Sequence, residues 1–322
     1  MKKNLPTTLL AVASFATFAS LATAQVTLIQ ENFDNYGTVL GSLATQNGGT
    51  GFSGAWTQTG IGTHGYNPTN LTATVTGYTN TGDAAGGNDG AASNNTYNGG
   101  LGNFNSTRAI AQPTIANGGT VWFSFTVNMA SIAAQNNAVF SPFGTGGGDM
   151  FNTGKFSVGV SGGSFFASSL VSYTPGTPNT NVVNNTFTGA AISANTTYLI
   201  VGRMTIDAAA NATDILDVWF NPSNVSSIAS LGAAQLNFTN QDFSTANTPD
   251  PNRTSGSSGV FLNGITVGIR GTDVNKLDAI RLAYGDTTEN NFASVIPEPS
   301  TSGLILLGAV GLLLQRRRSL RD

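Results

Sequence analysis

The sequence predicts an all-β chain folded as an antiparallel β-sandwich. Three observations carry that prediction. Short stretches of alternating apolar and polar residues recur at short intervals, Gly and Asn clusters separate them, and no long stretch has helical periodicity. Some ten to fourteen short strands with hairpin connections suit a sandwich. No fixed-period repeat is present, which argues against a propeller or a solenoid, with a parallel β-helix kept as the alternative for so Gly- and Asn-rich a chain.

Met1–Ala24 reads as a secretory signal peptide. Lys2 and Lys3 give the positive start, Leu9–Leu21 the apolar centre, and Ala22-Thr23-Ala24 the small-x-small cleavage signal, with cleavage expected after Ala24. Val26–Phe33 alternates as a strand and leads into the Gly-rich stretch Tyr36–Trp56. Leu71–Thr76 is a further short strand, and Asn80–Gly102, low in apolar residues, is expected to be a long surface loop. Thr120–Met129 (TVWFSFTVNM) is the clearest strand in the chain: Val121, Phe123, Phe125, Val127 and Met129 share the core face, with Trp122, Ser124, Thr126 and Asn128 opposite. Phe140–Phe143, Lys155–Val160 and Ser164–Ser172 follow as strands. Thr197–Ile206 and Asp214–Phe220, joined by DAAANAT, form a hairpin signal, and Val260–Arg270 and Leu277–Tyr284 close the set.

The ends and the body differ in charge. The chain of 322 residues carries 13 basic and 16 acidic groups, but six of the basic ones lie at the two ends. Between Gln25 and Ile296 seven basic residues face fourteen acidic ones, a net charge of −7. Nucleic acid is therefore excluded as a partner, because phosphate binding needs a basic face. There is no cysteine, which excludes disulfides, thiolate metal sites and cysteine nucleophiles. Polarity comes instead from Asn, Thr and Ser, and stability must come from a packed core, for which about 270 residues suffice.

Chemistry-bearing motifs are sparse. His64 is the only histidine, so a His-rich zinc site cannot exist, and no G-x-S-x-G elbow accompanies it. The three glutamates, Glu31, Glu289 and Glu298, do not form the paired carboxylates of a glycosidase. Asp207 and Asp214 flank the hairpin turn, where both could reach one calcium ion; no other cofactor is expected, and the plainer reading of both is turn residues capping backbone groups. Asp217, on the same strand side as Ile215 and Trp219, fits a solvent-facing position. Exposed aromatic rings stack on sugars, which makes Trp122 and Trp56 candidate glycan contacts, although tryptophan in a strand is ordinarily packing.

The last 26 residues are organised differently. Pro297-Glu298-Pro299 is a rigid polar triplet, Leu304–Leu314 an apolar run read as a short hydrophobic helix, and Arg316, Arg317, Arg318 and Arg321 a cationic end. A residue preceding proline is held extended, so the triplet is presented as an accessible strip. The run falls short of the ~20 residues of a comfortable membrane span, and the arginines orient its end to the cytoplasm. This ordering resembles the PEP-CTERM sorting tail of exported proteins of Gram-negative bacteria. The resemblance implies Sec export, transient anchoring in the inner membrane, processing by an exosortase and delivery to the cell surface or beyond.

Several body segments resemble the concanavalin A-like, laminin G-like jelly-roll family: the opening ENFDNYGTVLGSLATQNGGTGFSGAW, the strand VWFSF, the pair TYLIVGRMTID and DILDVWFNP, and the closing LDAIRLAY. That resemblance implies two curved antiparallel sheets packed face to face, with the closing strand pairing near the opening one. The laminarinase-type Glu-x-Asp-x-x-Glu strand of the fold is absent. The organisation expected is a signal peptide at 1–24, a sandwich body at 25–290, a linker at 291–296 and the sorting tail at 297–322. The function expected is a non-catalytic surface or matrix protein, glycan-binding and associated with extracellular polysaccharide. The alternative is a polysaccharide hydrolase or lyase on the same fold.

Overall fold

A computed structural model describes residues 26–33, 36, 41–59, 64–67, 71, 73–78, 91–94, 105–111, 115, 118–142, 156–172, 183–206, 214–241, 243–244, 260–271 and 275–296. The strands are β1 (Thr27–Glu31), β2 (Gly41–Ser42), β3 (Thr57–Thr59), β4 (His64–Asn67), β5 (Ala91–Asn94) and β6 (Asn105–Ala109). Then come β7 (Thr120–Asn128), β8 (Asn137–Ser141), β9 (Ser157–Ser161), β10 (Ser164–Ser172), β11 (Val183–Ala191) and β12 (Thr197–Thr205). The set ends with β13 (Asp214–Phe220), β14 (Leu236–Gln241), β15 (Phe243–Ser244), β16 (Val260–Phe261), β17 (Gly264–Arg270) and β18 (Lys276–Tyr284), followed by one helix, α1 (Thr288–Val295).

The strands form two antiparallel layers. One runs β5-β18-β7-β12-β13-β14 and the other β10-β9-β8-β17-β6-β3. They meet at a single corner pair, Ser172↔Gln241. The opening and closing strands do pair, from Thr27↔Tyr284 to Glu31↔Ile280. The hairpin of β12 and β13 has the register Arg203↔Asp217 and Val201↔Trp219.

Alternation in β7 places Phe123 and Phe125 between the layers. Phe123 meets Phe140 and Phe156 at ring distances of 5.5 and 6.4 Å, and Phe125 meets Phe140 at 5.1 Å. Phe165 of β10 and Phe187 of β11 reach across to Phe220 of β13 at 5.0 and 5.4 Å. Such aromatic pairs add to the burial energy of each ring.

The other face of β7 is buried as well. Trp122, Leu199, Val201 and Trp219 form a second core with Val75, Tyr78, Val225, Leu231, Phe292, Val295 and Ile296. Helix α1 lies over this face because β7 offers it polar partners at alternate positions. The Asn291 Nδ2 donates to the Thr120 carbonyl (3.2 Å), Trp122 Nε1 to Thr288 Oγ1 (3.0 Å), and Ser124 Oγ to the Val295 carbonyl (2.5 Å). The Thr287 hydroxyl caps the helix by accepting from the Asn290 N–H at 3.3 Å, as N-cap threonines do. At the other end Ile296 is extended (φ −103°, ψ 107°), the conformation that a following proline imposes.

Three expectations are corrected here. Residues 291–296, read as a linker, are the end of α1 and its cap, with Asn291, Phe292 and Val295 buried. The described residues of Leu71–Thr76 form no strand; among them the one ladder contact is the bridge Thr76↔Asn224, because Ala73 and Val75 cover the outer face of the sheet. The stretch Asn80–Gly102, read as a loop, contains β5, which pairs with both β4 and β18. The expected signal peptide and C-terminal hydrophobic helix lie outside the described residues.

Gly202 sets the approach of β7 and β12. It lies opposite Phe123 in the ladder, and a Cβ added there would stand 2.0 Å from the Phe123 ring. The ring cannot retreat, because Phe140 and Phe156 back it. Gly202→Ala is expected to cost about 1–3 kcal/mol by overpacking, lowering the Tm measured by thermal unfolding by several degrees. In the double variant with Phe123→Leu the losses should be less than additive, because the smaller side chain relieves the contact.

Candidate functional site

The second core decides where the sequence-predicted aromatic contacts fall. Trp122 is 0% exposed and Trp219 4%. Their rings stack at 5.7 Å with an interplanar angle of 17°, and Phe292 of α1 packs edge-on to Trp122 at 4.9 Å. Trp219 Nε1 donates to the Gly232 carbonyl at 3.0 Å. Trp56 is equally closed, at 1% exposure, stacked on Phe33 at 5.9 Å. Neither Trp122 nor Trp56 offers a face to a sugar. The expectation of glycan stacking on them is corrected, because alternation identifies the face a side chain takes and not what covers that face.

What the outer face does present is a polar row at the edge of this aromatic core. Arg203 of β12 lies over both indoles, 5.5 Å from the Trp122 ring and 5.7 Å from that of Trp219, a cation–π arrangement. Its Nε and Nη2 donate to Asp217 Oδ2 at 3.1 and 2.5 Å. The other Asp217 oxygen accepts from Asn237 Nδ2 of β14 at 2.6 Å. The three residues stand in register on adjacent strands, with Arg203↔Asp217 and Asp217↔Asn237. Asp217, expected in solvent, is 7% exposed through this pairing, while the Arg203 side chain is 30% exposed.

Arg203 is thus a half-exposed cation held in one orientation by a ring stack beneath and a carboxylate beside it. Among the described residues its Nη1 makes no hydrogen bond. A guanidinium held in this way has paired N–H donors to offer a carboxylate or adjacent hydroxyls, and the exposed Asn237 side chain supplies a neighbouring acceptor. The hairpin register makes Arg203 and Asp217 partners. Counting outward from the turn between Thr205 and Asp214 was the signal in the sequence that points to them.

A second charged cluster is sealed inside. Arg108 Nη1 donates to Glu31 Oε2 at 2.5 Å, and the two side chains are 2% and 0% exposed. The same carboxylate accepts from the Tyr36 hydroxyl (2.7 Å), Trp56 Nε1 (3.0 Å) and the Phe33 N–H (2.8 Å). Arg108 also donates to the Gly54 carbonyl and to Asn47 Oδ1, and lies 3.9 Å over the Phe52 ring. Burial pushes the Glu31 carboxyl up, against the downward pull of Tyr36, Arg108, the Phe33 N–H and Trp56. Burial, and then the Glu31 charge, push the Tyr36 hydroxyl far above its usual range. With Glu31 0% and Arg108 2% exposed, this cluster ties the opening strand to β6 and the Gly-rich stretch.

Asp214, the described half of the expected calcium pair, is 4% exposed within β13; Asp207 lies outside the described residues. Among the described residues no three His, Cys, Asp or Glu side chains group as metal ligands. His64 falls in β4. Ala22, Ala24, Pro297, Glu298, Pro299, Arg316, Arg317 and Arg318 lie outside the described residues. No described helix is long and apolar enough to cross a membrane.

No protein-family model and no curated protein matches the chain. Solved structures similar to it include an endo-β-1,4-glucuronan lyase from Trichoderma reesei, 15% identical, covering 84% of this chain and 97% of the lyase with a TM-score of 0.40. A carbohydrate esterase from the Shiga toxin-encoding bacteriophage phi24B is 14% identical over 77% of this chain and 100% of the esterase, with a TM-score of 0.37. Domain 4 of an extracellular arabinanase from Geobacillus stearothermophilus, solved with arabinotriose, is 13% identical over 76% of this chain and 89% of that one, with a TM-score of 0.32. The neighbours thus include carbohydrate-binding and carbohydrate-active β-sandwich proteins. The expectation of a non-catalytic body is corrected: it rested on the missing Glu-x-Asp-x-x-Glu strand, which excludes one arrangement of catalytic carboxylates and not catalysis, and a lyase and an esterase are among the similar structures.

The buried pair gives a stability prediction. Arg108→Met strips the Glu31 charge of its partner and is expected to cost about 3–5 kcal/mol; adding Glu31→Gln should recover part of that loss in urea unfolding. The pH dependence has a defined sign. Because the folded Glu31 value is raised, the group's contribution is fully present below its unfolded value and is lost as pH rises through the folded one. Wild-type stability relative to Glu31→Gln should therefore fall as pH is raised from about 4.

Proposed function

We propose that this chain is an exported protein of a Gram-negative bacterium, delivered through Sec, held briefly at the inner membrane, processed by an exosortase and released or attached at the surface. The observation that carries this reading is the uninterrupted order Pro297-Glu298-Pro299, apolar Leu304–Leu314 and the arginines at 316–318 within the last 26 residues. The triplet supplies an extended strip to be recognised. The apolar run is too short for a secure span, and the arginines form a cationic stop that fixes orientation. Intact-mass analysis of surface protein from exosortase-positive cells is expected to show loss of the N-terminal 24 residues and of the Arg-rich end. A mature protein that still carries Arg316–Arg318 overturns the sorting reading.

The sandwich body is then a polysaccharide-contacting module, and Arg203 with Asn237 is where contact is made. Support comes from the exposure of Arg203, its fixed orientation over Trp122 and Trp219, and its unengaged Nη1 donors. The net charge of −7 between Gln25 and Ile296 favours neutral over densely anionic polymers, with the guanidinium meeting sugar hydroxyls or an isolated carboxylate. On a polysaccharide panel, Arg203→Met is expected to weaken binding about tenfold or more, the scale of losing charge-assisted hydrogen bonds. Equal binding by the variant removes Arg203 from the site. Running the panel with and without EDTA reads the Asp207/Asp214 calcium site, and assaying the same polymers for cleavage reads the hydrolase or lyase alternative.

A further inference from the structure

Beside α1 the outer cover leaves a groove of about 390 Å³. Val225, Phe292 and Ile296, all buried, belong to its wall together with Ile228, Ala229 and Ala293, and Glu289 stands at it as the charged member. No cation lines it. Ile296, at the groove wall, is also the residue to which the segment beginning with Pro297 is joined.

We propose that this groove receives apolar side chains of the chain's own run, Leu304–Leu314, while the protein is in water. The run begins eight residues after Ile296, and eight residues reach at most about 26–29 Å, enough to span back to a groove whose wall includes Ile296. A tether this short raises the local concentration of the run to the millimolar range, so weak apolar contacts suffice. The charges agree. The run is followed, after Gln315, by Arg316, Arg317 and Arg318, and the charged residue among the described lining of the groove is Glu289, with Asp286 just before the helix. The driving force is removal of an exposed apolar segment from water, and a bilayer competes for the same residues. The groove then shelters the run between export and insertion. The proposal needs the run and not the exosortase, so its failure and that of the sorting reading are separable.

The chain has no cysteine, so introduced pairs report alone. In full-length protein carrying the tail, Ala229→Cys with Ala309→Cys is expected to cross-link within one molecule through a short bismaleimide, at a yield independent of dilution. The control pair Ala134→Cys with Ala309→Cys places the first thiol beside the turn joining β9 and β10 and should yield about tenfold less, in line with the effective-concentration difference. Ala293→Arg, at an exposed position of the groove wall, should cut the Ala229 yield several-fold with the Tm unchanged. Phospholipid vesicles should abolish the cross-link by drawing off the run. Equal yields for the two pairs, an unchanged yield in Ala293→Arg, or cross-links only between molecules overturn the proposal.

Discussion

A sheet that is apolar on both faces must be covered on both faces, and β7 imposes that condition here. Phe123 and Phe125 are fully buried toward the second layer, and Trp122, Ser124 and Thr126 are fully buried on the opposite side. Two layers of strand satisfy only the first requirement. The second is met by pieces with little secondary structure of their own: residues 73–78, the turn around Val225–Leu231, and a helix of eight residues. A helix that short has no independent stability in water. It is held by Phe292 against Trp122 and by the hydrogen bonds that β7 extends to it.

The opening strand solves a related problem at the other side of the body. Glu31 ends β1, and its carboxylate collects Arg108 from β6 together with Tyr36 and Trp56 from the Gly-rich stretch. An isolated buried carboxylate would be prohibitive, so these donors are a requirement and not an ornament. They tie three segments that the ladder leaves loosely joined. Gly49 and Gly51 allow that closeness. Both have positive φ (71° and 83°), and a Cβ at either would stand 2.5–2.6 Å from β1. Specificity is therefore achieved locally with polar groups where the aromatic core does not reach.

The strands were legible because burial on the inner face leaves a period-two signature, and Thr120–Asn128, Thr197–Thr205, Asp214–Phe220 and Lys276–Tyr284 all carry it. The pairing of the first and last strands is what the jelly-roll resemblance implied, and β1 does pair with β18. What covers the outer face was not legible. The covering pieces are Asn- and Thr-rich and too short to show a period, and α1 (TENNFASV) reads as loop by composition. That gap accounts for the misplacing of Trp122 and for residues 291–296 being taken as a linker, while Asp217 was expected in solvent because its cross-strand partners Arg203 and Asn237 were not matched to it. The Glu31–Arg108 contact spans 77 positions, and nothing local in either segment marks it. Arg203 was within reach, since it is fixed by the hairpin register, but only pairing it with Asp217 gives it meaning.

The boundary between body and tail is set by one steric effect. Pro297 excludes Ile296 from the helical region, and α1 ends there, with Ile296 extended and its N–H bound to the Phe292 carbonyl at 3.2 Å. Ile296 is nevertheless 2% exposed and part of the second core. The last described residue is therefore a member of the second core, directly before Pro297 in the sequence. Cleavage at any bond after Pro297 leaves every described contact of the second core in place. A cut before Ile296 would remove a side chain that covers the outer face beside Phe292. The described core of the sandwich is thus closed by residues up to Ile296, and its outer cover ends where the proline-bounded segment of the sequence begins.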